Sequence, residues 1–270
     1  METPTVTFLS DFGLKDPYVA EMKAVLISIC PEARIIDVGH EVEKFNIRMG
    51  AFFLASSARY FPKGTIHVAV VDPGVGTKRR PILVETSHSF YVGPDNGILL
   101  LAAQKQGIKH VYNITSSRYK LAQVSKTFHG RDIFAPVAAH LASGSKPQDF
   151  GAEIYDYIIP KFAKPEHTGK ELHGEVLHID DFGNIITNIS AEDLGKTRIK
   201  EGLTFRLKLK GKEVVELKFR STYGEAHIGK PLALIGSHDF LEISIDQGNA
   251  SKKLRTKTGD PITVVLDKQS

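Results

Sequence analysis

Four aspartates in the first hundred residues lie at or just after the ends of apolar, strand-like runs. They are Asp11, Asp37, Asp72 and Asp95. For Asp37 and Asp95 a capping or turn role is the favoured interpretation, because aspartate readily bonds its own backbone in turns. Asp11 follows the first strand-like run. A carboxylate in that position commonly binds the two hydroxyls of a ribose, since it offers paired acceptors.

The segment 68–80, VAVVDPGVGTKRR, joins one of these acids to a basic cluster. Its β-branched start predicts a buried parallel strand. Proline and glycine break the strand directly after Asp72, and three basic residues follow at 78–80. Ligands of open α/β sheets bind at the carboxyl ends of the strands, which makes Asp72 a candidate site residue. A surface turn capped by Asp72 is an equally good interpretation of this stretch alone.

Several familiar motifs are matched only superficially. DFG at 11–13 and HGRD at 129–132 resemble protein-kinase motifs, but their order is wrong and no glycine-rich loop precedes them. GVGTK at 74–78 lacks the spacing of a P-loop. The 11 histidines form no His-x-x-x-His pair and no cluster with cysteine. We therefore expect no metal site.

Strand-like and helix-like runs alternate through the N-terminal half, which predicts an α/β domain with a central, mostly parallel sheet and flanking helices. Asp16 and Asp132 each precede a predicted helix and are its expected N-cap. The predicted strands are 5–9, 34–38, 65–71, 81–85, 89–92 and 110–114. Four helices are predicted: the first begins at Pro17, the second spans 46–60, the third ends at Gln106 and the fourth spans 133–142.

The pattern changes after Gly151. A proline-rich, charged segment without periodicity, 159–172, is interpreted as a linker. The short β runs beyond it predict a small all-β barrel domain over 173–270, after an α/β domain over 1–158. Junctions between unlike domains are common ligand sites. The predicted C-terminal strands are 174–179, 185–189, 203–209, 214–219, 232–235, 241–245 and 262–266.

Composition narrows the class of protein. The chain has 270 residues and a net charge of +4, and its 35 basic residues form no block, which does not favour a nucleic-acid partner. No apolar run approaches the ~20 residues of a membrane span, and a strand begins too early for a signal peptide. The single Cys30 excludes an intrachain disulfide and is expected to be buried at the end of the first helix. We expect a cytoplasmic protein without a membrane partner.

Five motifs, in this order, resemble those of the S-adenosylmethionine (SAM) hydroxide adenosyltransferase family. These enzymes are also called SAM hydrolases and are relatives of the fluorinase and chlorinase. The resemblance extends from Thr5 to about Val265. It implies an N-terminal α/β domain, a C-terminal β-barrel and a homotrimer whose substrate lies between the N-terminal domain of one subunit and the C-terminal domain of the next. The motifs are SDFG at 10–13, VDPGVG at 71–76, GPDNG at 93–97, TFHGRD at 127–132 and DDFGN at 180–184.

The resemblance implies an enzyme that hydrolyses SAM to adenosine and methionine. Water or hydroxide attacks the ribose C5′ in an SN2 displacement, SAM is the substrate, and no cofactor takes part. The implied catalytic residues are Asp72, Arg79 and His129. The halide-using branch has a tyrosine in place of the aspartate, so Asp72 favours hydroxide. If Arg79 lies beside Asp72, we expect it to lower the pKa of that carboxyl, which would then hold and orient the nucleophile.

The resemblance also implies a set of substrate-binding residues. At position 238 the fluorinase has an arginine where this chain has histidine. By part of the substrate, the residues are Asp11 and Phe45 at the ribose, Asp16 and Asp180 at the methionine end, Ser237 and His238 at the methionine carboxylate, and Phe182, Asn184 and Ala250 at adenine; Phe128 is a further substrate-binding residue.

Two other functions stay open at the level of sequence. One is a SAM-dependent halogenase, which would form 5′-chloro-5′-deoxyadenosine with chloride. The other is a protein that binds SAM or adenosine without catalysis, which would retain adenosine and show no turnover.

Overall fold

In a computed structural model, which describes residues 3–197, 199–211 and 213–265, the chain divides into two units between Pro160 and Lys161. The segment predicted as a linker holds a 3₁₀ turn, a short strand and the start of a longer strand. The domain limits 1–158 and 173–270 stay predictions. Of the last predicted strand, 262–266, residue 266 lies outside the described residues.

The first unit is an α/β domain, as predicted. Its six-stranded sheet has the order β2-β1-β3-β5-β4-β6, and only β4 runs antiparallel to its neighbours. The elements are β1 (Thr5–Ser10), α1 (Tyr18–Ile29), β2 (Arg34–Gly39), α2 (Ile47–Ala58), β3 (Ile66–Val70), β4 (Pro81–Thr86), β5 (Phe90–Pro94), α3 (Leu100–Lys105), β6 (Ile108–Asn113) and α4 (Ala135–Ala142).

Burial on both faces explains the apolar run 68–70 within β3, a strand that is buried along its whole length. On one face Val68 and Val70 join the core formed with α1 and α4. On the other face, a Cβ built on Gly50 of α2 would lie 3.1 Å from Val71 just beyond the strand. Helices thus cover both sides of the central strand, as is usual for parallel sheets.

Two predicted helix caps are wrong. Pro17 itself occupies the N-cap position of α1, so Asp16 lies one residue too early, and no side chain caps this helix. Asp132 lies inside a π-helical turn, Gly130–Phe134, that leads into α4. Its buried carboxylate accepts the Ser125 N–H at 2.7 Å instead of capping a helix. The prediction for Cys30 is confirmed, since it is the buried C-cap of α1.

The second unit is the predicted all-β barrel. Its strands follow the order β11-β10-β14-β8-β9-β13-β12, with β7 paired to β8, and a bridge from Phe219 to Ala233 links the two edges. Alternate apolar side chains of these strands fill the interior. The elements are β7 (Glu166–Thr168), β8 (Glu171–Ile179), β9 (Ile185–Ser190), α5 (Ala191–Gly195), β10 (Thr204–Leu209), β11 (Glu213–Lys218), β12 (Pro231–Ile235), β13 (Phe240–Ile245), α6 (Ala250–Lys253) and β14 (Pro261–Val265).

Candidate active site

The strand order of the first sheet reverses at β1 and β3. The chain goes from β1 to β2 on one side, and β3 pairs with β1 on the other side. Such a switch point leaves a crevice at the carboxyl ends of the two strands, where ligands of open α/β sheets bind. Ser10 is in register with Val70, so Asp11 and Asp72 leave the sheet at the same edge.

The loop after β3 folds back and returns Arg79 to Asp72. The Thr77 hydroxyl donates to the Gly74 carbonyl at 2.7 Å and accepts from the Arg79 N–H at 3.3 Å. The guanidinium then bonds both carboxylate oxygens of Asp72: Nε donates to Oδ1 at 3.1 Å, and Nη2 donates to Oδ2. The two side chains are only 7% and 5% exposed. The result is a buried, bidentate ion pair.

Gly76 brings this loop against the segment that carries His129. Its φ is +75°, and a Cβ at this position would lie 2.1 Å from the carbonyl oxygen of Lys126. A side chain is therefore excluded both by the backbone conformation and by the neighbouring backbone. The close approach positions Arg79 within reach of the residues that follow Lys126.

Arg79 also contacts His129, and this contact determines which ring nitrogen carries the proton. Nη2 of Arg79 lies 3.0 Å from Nδ1 of His129. A guanidinium can only donate, so Nδ1 accepts and the proton of the neutral ring resides on Nε2. Burial, and next the charge of Arg79, lower the pKa of His129 below its ordinary value. The imidazole is therefore neutral at neutral pH.

The pKa of Asp72 departs from the sequence-based expectation. Arg79 lowers it, as expected, but burial has the larger effect, and the net pKa is raised above the ordinary value. The expected net lowering is wrong because the ion pair is withdrawn from water. Asp72 is thus a stronger base than an exposed aspartate.

One donor of Arg79 has no protein partner among the described residues. The Nη1 atom is buried and makes no hydrogen bond, whereas Nε and Nη2 are both used. The guanidinium carbon lies 5.4 Å from the centre of the Phe134 ring in the π-helical turn. A buried, unsatisfied N–H of a charged group is costly, and a ligand atom that accepts from it would be bound favourably.

Arg80 does not belong to this cluster. Its guanidinium bonds the buried Asp95 through Nε and Nη2, at 3.0 and 2.8 Å, and bonds Asp156 through Nη1 at 2.7 Å. Asp95 also accepts the Ile158 N–H at 2.9 Å, so it closes the loop end as a turn residue would. Of the two adjacent arginines, only Arg79 faces Asp72.

Asp11 is fixed by the segment before α2. Its Oδ2 accepts the backbone N–H of Phe45 at 2.9 Å, and its carbonyl accepts from the Lys44 ammonium. Phe45 has a φ of +65°, and its side chain is 69% exposed. The structure thus places Asp11 and Phe45 together beside the crevice, while Asp16 is exposed and lies just before the N-cap of α1.

Phe128 lies in an aromatic cluster that the sequence pattern did not reveal. Its ring packs edge-on against Phe12 at 5.7 Å and Tyr18 at 5.1 Å. The guanidinium of Arg131 lies 5.0 Å from its other side. Phe12 directly follows Asp11, and Tyr18 is two residues after Asp16. This proximity to two predicted site residues was the only sequence signal for the cluster.

In the second unit, a tight turn and the start of α6 bring four predicted residues together. The Asp180 carboxylate accepts the backbone N–H of Asn184 at 2.8 Å and its side-chain amide at 2.9 Å. This leaves Phe182 at the tip of the turn, 78% exposed. The Ser251 N–H donates to the Gly183 carbonyl at 2.9 Å, which places Ala250 against the turn.

Ser237 and His238 lie at the other end of the β9–β13 pair. Ile185 is in register with Ile243 and Ser190 with Phe240, so the turn before β13 and the turn before β9 adjoin opposite ends of this pairing. Between the two turns lies Glu242, which is buried and accepts from the Tyr223 and Ser244 hydroxyls at 2.7 Å each. The sequence analysis did not single out Glu242, although a glutamate inside an apolar strand-like run is a signal of a buried carboxylate.

The described part of the chain holds neither a metal-binding cluster nor a membrane-spanning helix. No group of three or more histidine, cysteine, aspartate or glutamate side chains is arranged to hold a metal ion within residues 3–197, 199–211 and 213–265. In the same part of the chain, no helix is both long and apolar enough to cross a bilayer.

Two family models match the chain. Residues 6–151 match the SAM hydroxide adenosyltransferase N-terminal domain, and residues 174–263 match the C-terminal domain of the same family. The chain belongs to the SAM hydroxide adenosyltransferase family. The two matches cover most of both units, including all the candidate site residues in this chain.

Individual members of the family agree with this assignment. The chain is 38% identical to a protein of Methanocaldococcus jannaschii named (R)-S-adenosyl-L-methionine hydrolase, over 96% of this chain and 95% of that protein. It is 29% identical to a fluorinase of an Actinoplanes species, over 97% of each chain. A crystal structure of an uncharacterized conserved protein from Thermotoga maritima superposes with a TM-score of 0.85 at 37% identity, covering 96% of this chain and 99% of the other.

Proposed function

We propose that this protein hydrolyses S-adenosyl-L-methionine to adenosine and L-methionine by attack of water or hydroxide at the ribose C5′. The observation that carries the proposal is the buried Asp72–Arg79–His129 cluster, in which Arg79 retains one donor without a protein partner. A small oxygen nucleophile can accept from that donor. The higher identity to the named hydrolase than to the fluorinase supports water, not halide, as the nucleophile.

Each member of the cluster has a distinct part in the proposed step. Asp72 accepts a hydrogen bond from the water and orients it, and Arg79 Nη1 donates to the oxygen and favours its hydroxide character. His129 is neutral with its proton on Nε2, so it donates and does not act as the base. Holding the nucleophile in line with C5′ is the main contribution, since positioning alone lowers the barrier substantially.

The bond changes need no general acid. The new C5′–O bond forms as the C5′–S bond breaks. The electron pair of the C5′–S bond stays on sulfur and neutralises the sulfonium, so methionine leaves as a neutral thioether. One proton of the attacking water must depart, and Asp72, with its raised pKa, is the nearest acceptor. The proton then passes to solvent. The enzyme therefore supplies orientation and a base.

The proposed binding residues match the two ends of an extended substrate. Asp11 and Phe45 hold the ribose beside the nucleophile, Phe128 borders the reacting centre, and Asp16 lies near the methionine end. In the barrel unit, Phe182, Asn184 and Ala250 form one cluster, which we assign to adenine, with Asp180 beside it for the methionine ammonium. Ser237 and His238, in the turn before β13, are assigned to the methionine carboxylate.

We further propose that the protein is a cytoplasmic homotrimer whose sites combine the first unit of one subunit with the barrel of the next. A complementation experiment tests this assembly. Asp72→Asn and Asn184→Ala chains are each expected to be inactive. Unfolding and co-refolding the two together should restore a fraction of the activity, because some sites then receive both intact halves. Mixtures that stay inactive, or a monomer in sedimentation, would contradict it.

The reaction itself is tested with SAM in oxygen-18 water, followed by mass spectrometry of the nucleoside. We expect adenosine with one heavy oxygen at C5′, and no 5′-chloro-5′-deoxyadenosine when chloride is added. The relative's name also motivates separate assays of the (R) and (S) sulfonium epimers, with the (R) epimer expected to be turned over faster. Retention of SAM or adenosine without turnover of either epimer would identify a binding protein and contradict the proposal.

A further inference from the structure

Two buried polar side chains, Ser10 and His40, and the partly exposed Asp37 lie next to the loop that carries Asp11. His40 follows the end of β2 and is beside Ser10, the last residue of β1. Nδ1 of His40 lies 2.8 Å from the Ser10 hydroxyl, and Nε2 lies 3.1 Å from an oxygen of Asp37. Ser10 and His40 are only 1% and 5% exposed. None of these three residues has a part in the reaction proposed above.

The charge of Asp37 decides the direction of the bond between His40 and Ser10. Nε2 of His40 lies 3.1 Å from the Asp37 carboxylate, an ion-pair contact without hydrogen-bond geometry, and the negative charge favours a ring proton on Nε2. Nδ1 then accepts from the Ser10 hydroxyl. The oxygen of Ser10 in turn accepts the Phe12 N–H at 3.3 Å. Burial raises the pKa of Asp37, but the hydrogen bond from Lys23 and the nearby His40 ring outweigh it and leave that pKa below the ordinary value. Asp37 is therefore a stable, charged acceptor.

The same histidine holds the other end of the loop. The carbonyl oxygen of His40 accepts the Gly13 N–H at 2.8 Å, and Gly13 has a φ of +69°. The loop 10–13 is thus bound at its first residue by the His40 side chain and at its last by the His40 backbone. Asp11 lies between these two points, with its Oδ2 oriented by the Phe45 N–H.

The trio has the composition of a Ser–His–Asp catalytic triad, but it does not have the arrangement of one. Ser10 is almost fully buried, and its oxygen already accepts a backbone N–H. An acyl or phosphoryl acceptor needs access to the serine oxygen, and in the catalytic arrangement Nε2, not Nδ1, faces it. The chain of bonds therefore has a positioning role.

We propose that the Asp37–His40–Ser10 chain is a positioning device that holds the loop 10–13 so that the Asp11 carboxylate meets the two hydroxyls of the ribose. This inference rests on the proposed function, since it takes Asp11 as the ribose-binding residue. It adds three residues that determine how tightly the nucleoside binds while leaving the attack on C5′ to the cluster around Asp72.

The test compares two ligands that differ only at the contact with Asp11. Adenosine has both ribose hydroxyls, whereas 2′,3′-dideoxyadenosine has neither. In Ser10→Ala and His40→Gln we expect the Kd of adenosine, measured by calorimetry, to rise about tenfold. The Kd of dideoxyadenosine should change less than twofold. Ser10→Thr, which retains the hydroxyl, should bind adenosine like the wild type.

Turnover gives a second readout with a matched control. We expect KM for SAM to rise about tenfold in Ser10→Ala and kcat to change less than twofold. Ser28→Ala removes a hydroxyl that bonds the Val25 carbonyl within α1, and should change neither constant. Equal weakening of both nucleosides, a loss confined to kcat, or no effect would overturn the inference. Adenosine binding that depends on Ser10 without any SAM turnover would contradict the proposed function alone.

Discussion

Arg79 and Arg80 are consecutive in sequence, and each bonds an aspartate at the carboxyl end of a strand, yet their surroundings differ. Arg80 is 28% exposed, and both of its terminal nitrogens and Nε have protein acceptors. Arg79 is 7% exposed, contacts Asp72, His129 and the Phe134 ring, and keeps Nη1 without a protein acceptor.

The difference separates a structural ion pair from a functional one. The Arg80–Asp95 pair joins the end of β5 to the segment 156–158 and is fully satisfied by the protein. The Arg79–Asp72 pair is more deeply buried and less completely satisfied. An unsatisfied buried donor is costly, and the fold leaves one at Arg79 but none at Arg80. This difference indicates that Arg79 binds a ligand.

The largest effect should come from Asp72, with Asp95 as its matched control. We expect Asp72→Asn to lower kcat by about 1000-fold, because the oriented base is lost. Asp95→Asn should leave kcat within threefold of the wild type and lower the free energy of unfolding by about 2 kcal/mol, since a buried pair is weakened. SAM turnover and urea unfolding measure these effects. A larger loss of kcat in Asp95→Asn than in Asp72→Asn would contradict the assignment of Asp72 as the functional aspartate.

The two arginines should differ by a smaller factor. Lysine keeps the charge but cannot form the bidentate pair or supply the third donor, so Arg79→Lys should lower kcat/KM about 100-fold. Arg80→Lys should lower it less than threefold. The matched substitution at adjacent positions controls for charge and for loop structure. Similar losses at both positions would show that the loop, not the guanidinium of Arg79, is what matters.

Two glycines separate backbone strain from loop contact. Gly76 and Gly64 both have positive φ, +75° and +85°, but only Gly76 faces a backbone atom at 2.1 Å, whereas Gly64 has open space. We expect Gly64→Ala to cost about 1 kcal/mol of stability with normal activity. Gly76→Ala should lower kcat by at least about tenfold, because the loop must move away from Lys126 and carry Arg79 with it. Equal activity in both variants would exclude this role for the contact.

The smallest effect is a change in the pKa of His129. NMR titration should give a pKa below the ordinary 6.5 in the wild type and a higher one in Arg79→Met, which removes a nearby positive charge. The pKa of His140, lowered by burial and Arg118, should not change. Because the folded-state pKa is lowered, the stabilisation from neutral His129 is present above pH 6.5 and declines as pH falls toward the folded pKa. A His129 pKa that is the same in Arg79→Met and in the wild type would argue against the contact with Arg79.

Much of the architecture followed from local pattern. Buried β-branched runs predicted β3 and its neighbours, the change to short alternating runs predicted the barrel, and both predictions are confirmed. The predicted caps at Asp16 and Asp132 are wrong. Pro17 occupies the N-cap position of α1, and the buried Asp132 accepts the N–H of Ser125, which precedes it by seven residues. Cap identity depends on such alternatives, which residue type alone does not rank.

The sequence by itself determined the two fold classes, the ordered motifs and the acid at the carboxyl end of the central strand. Periodicity and turn residues act over a few positions, and these features need no more. Only the tertiary structure decided that Arg79 and not Arg80 faces Asp72, that burial raises the pKa of Asp72, that Nδ1 of His129 accepts, and that His40 clamps the loop of Asp11. These properties depend on contacts between residues 7 to 50 positions apart and on the exclusion of water around them.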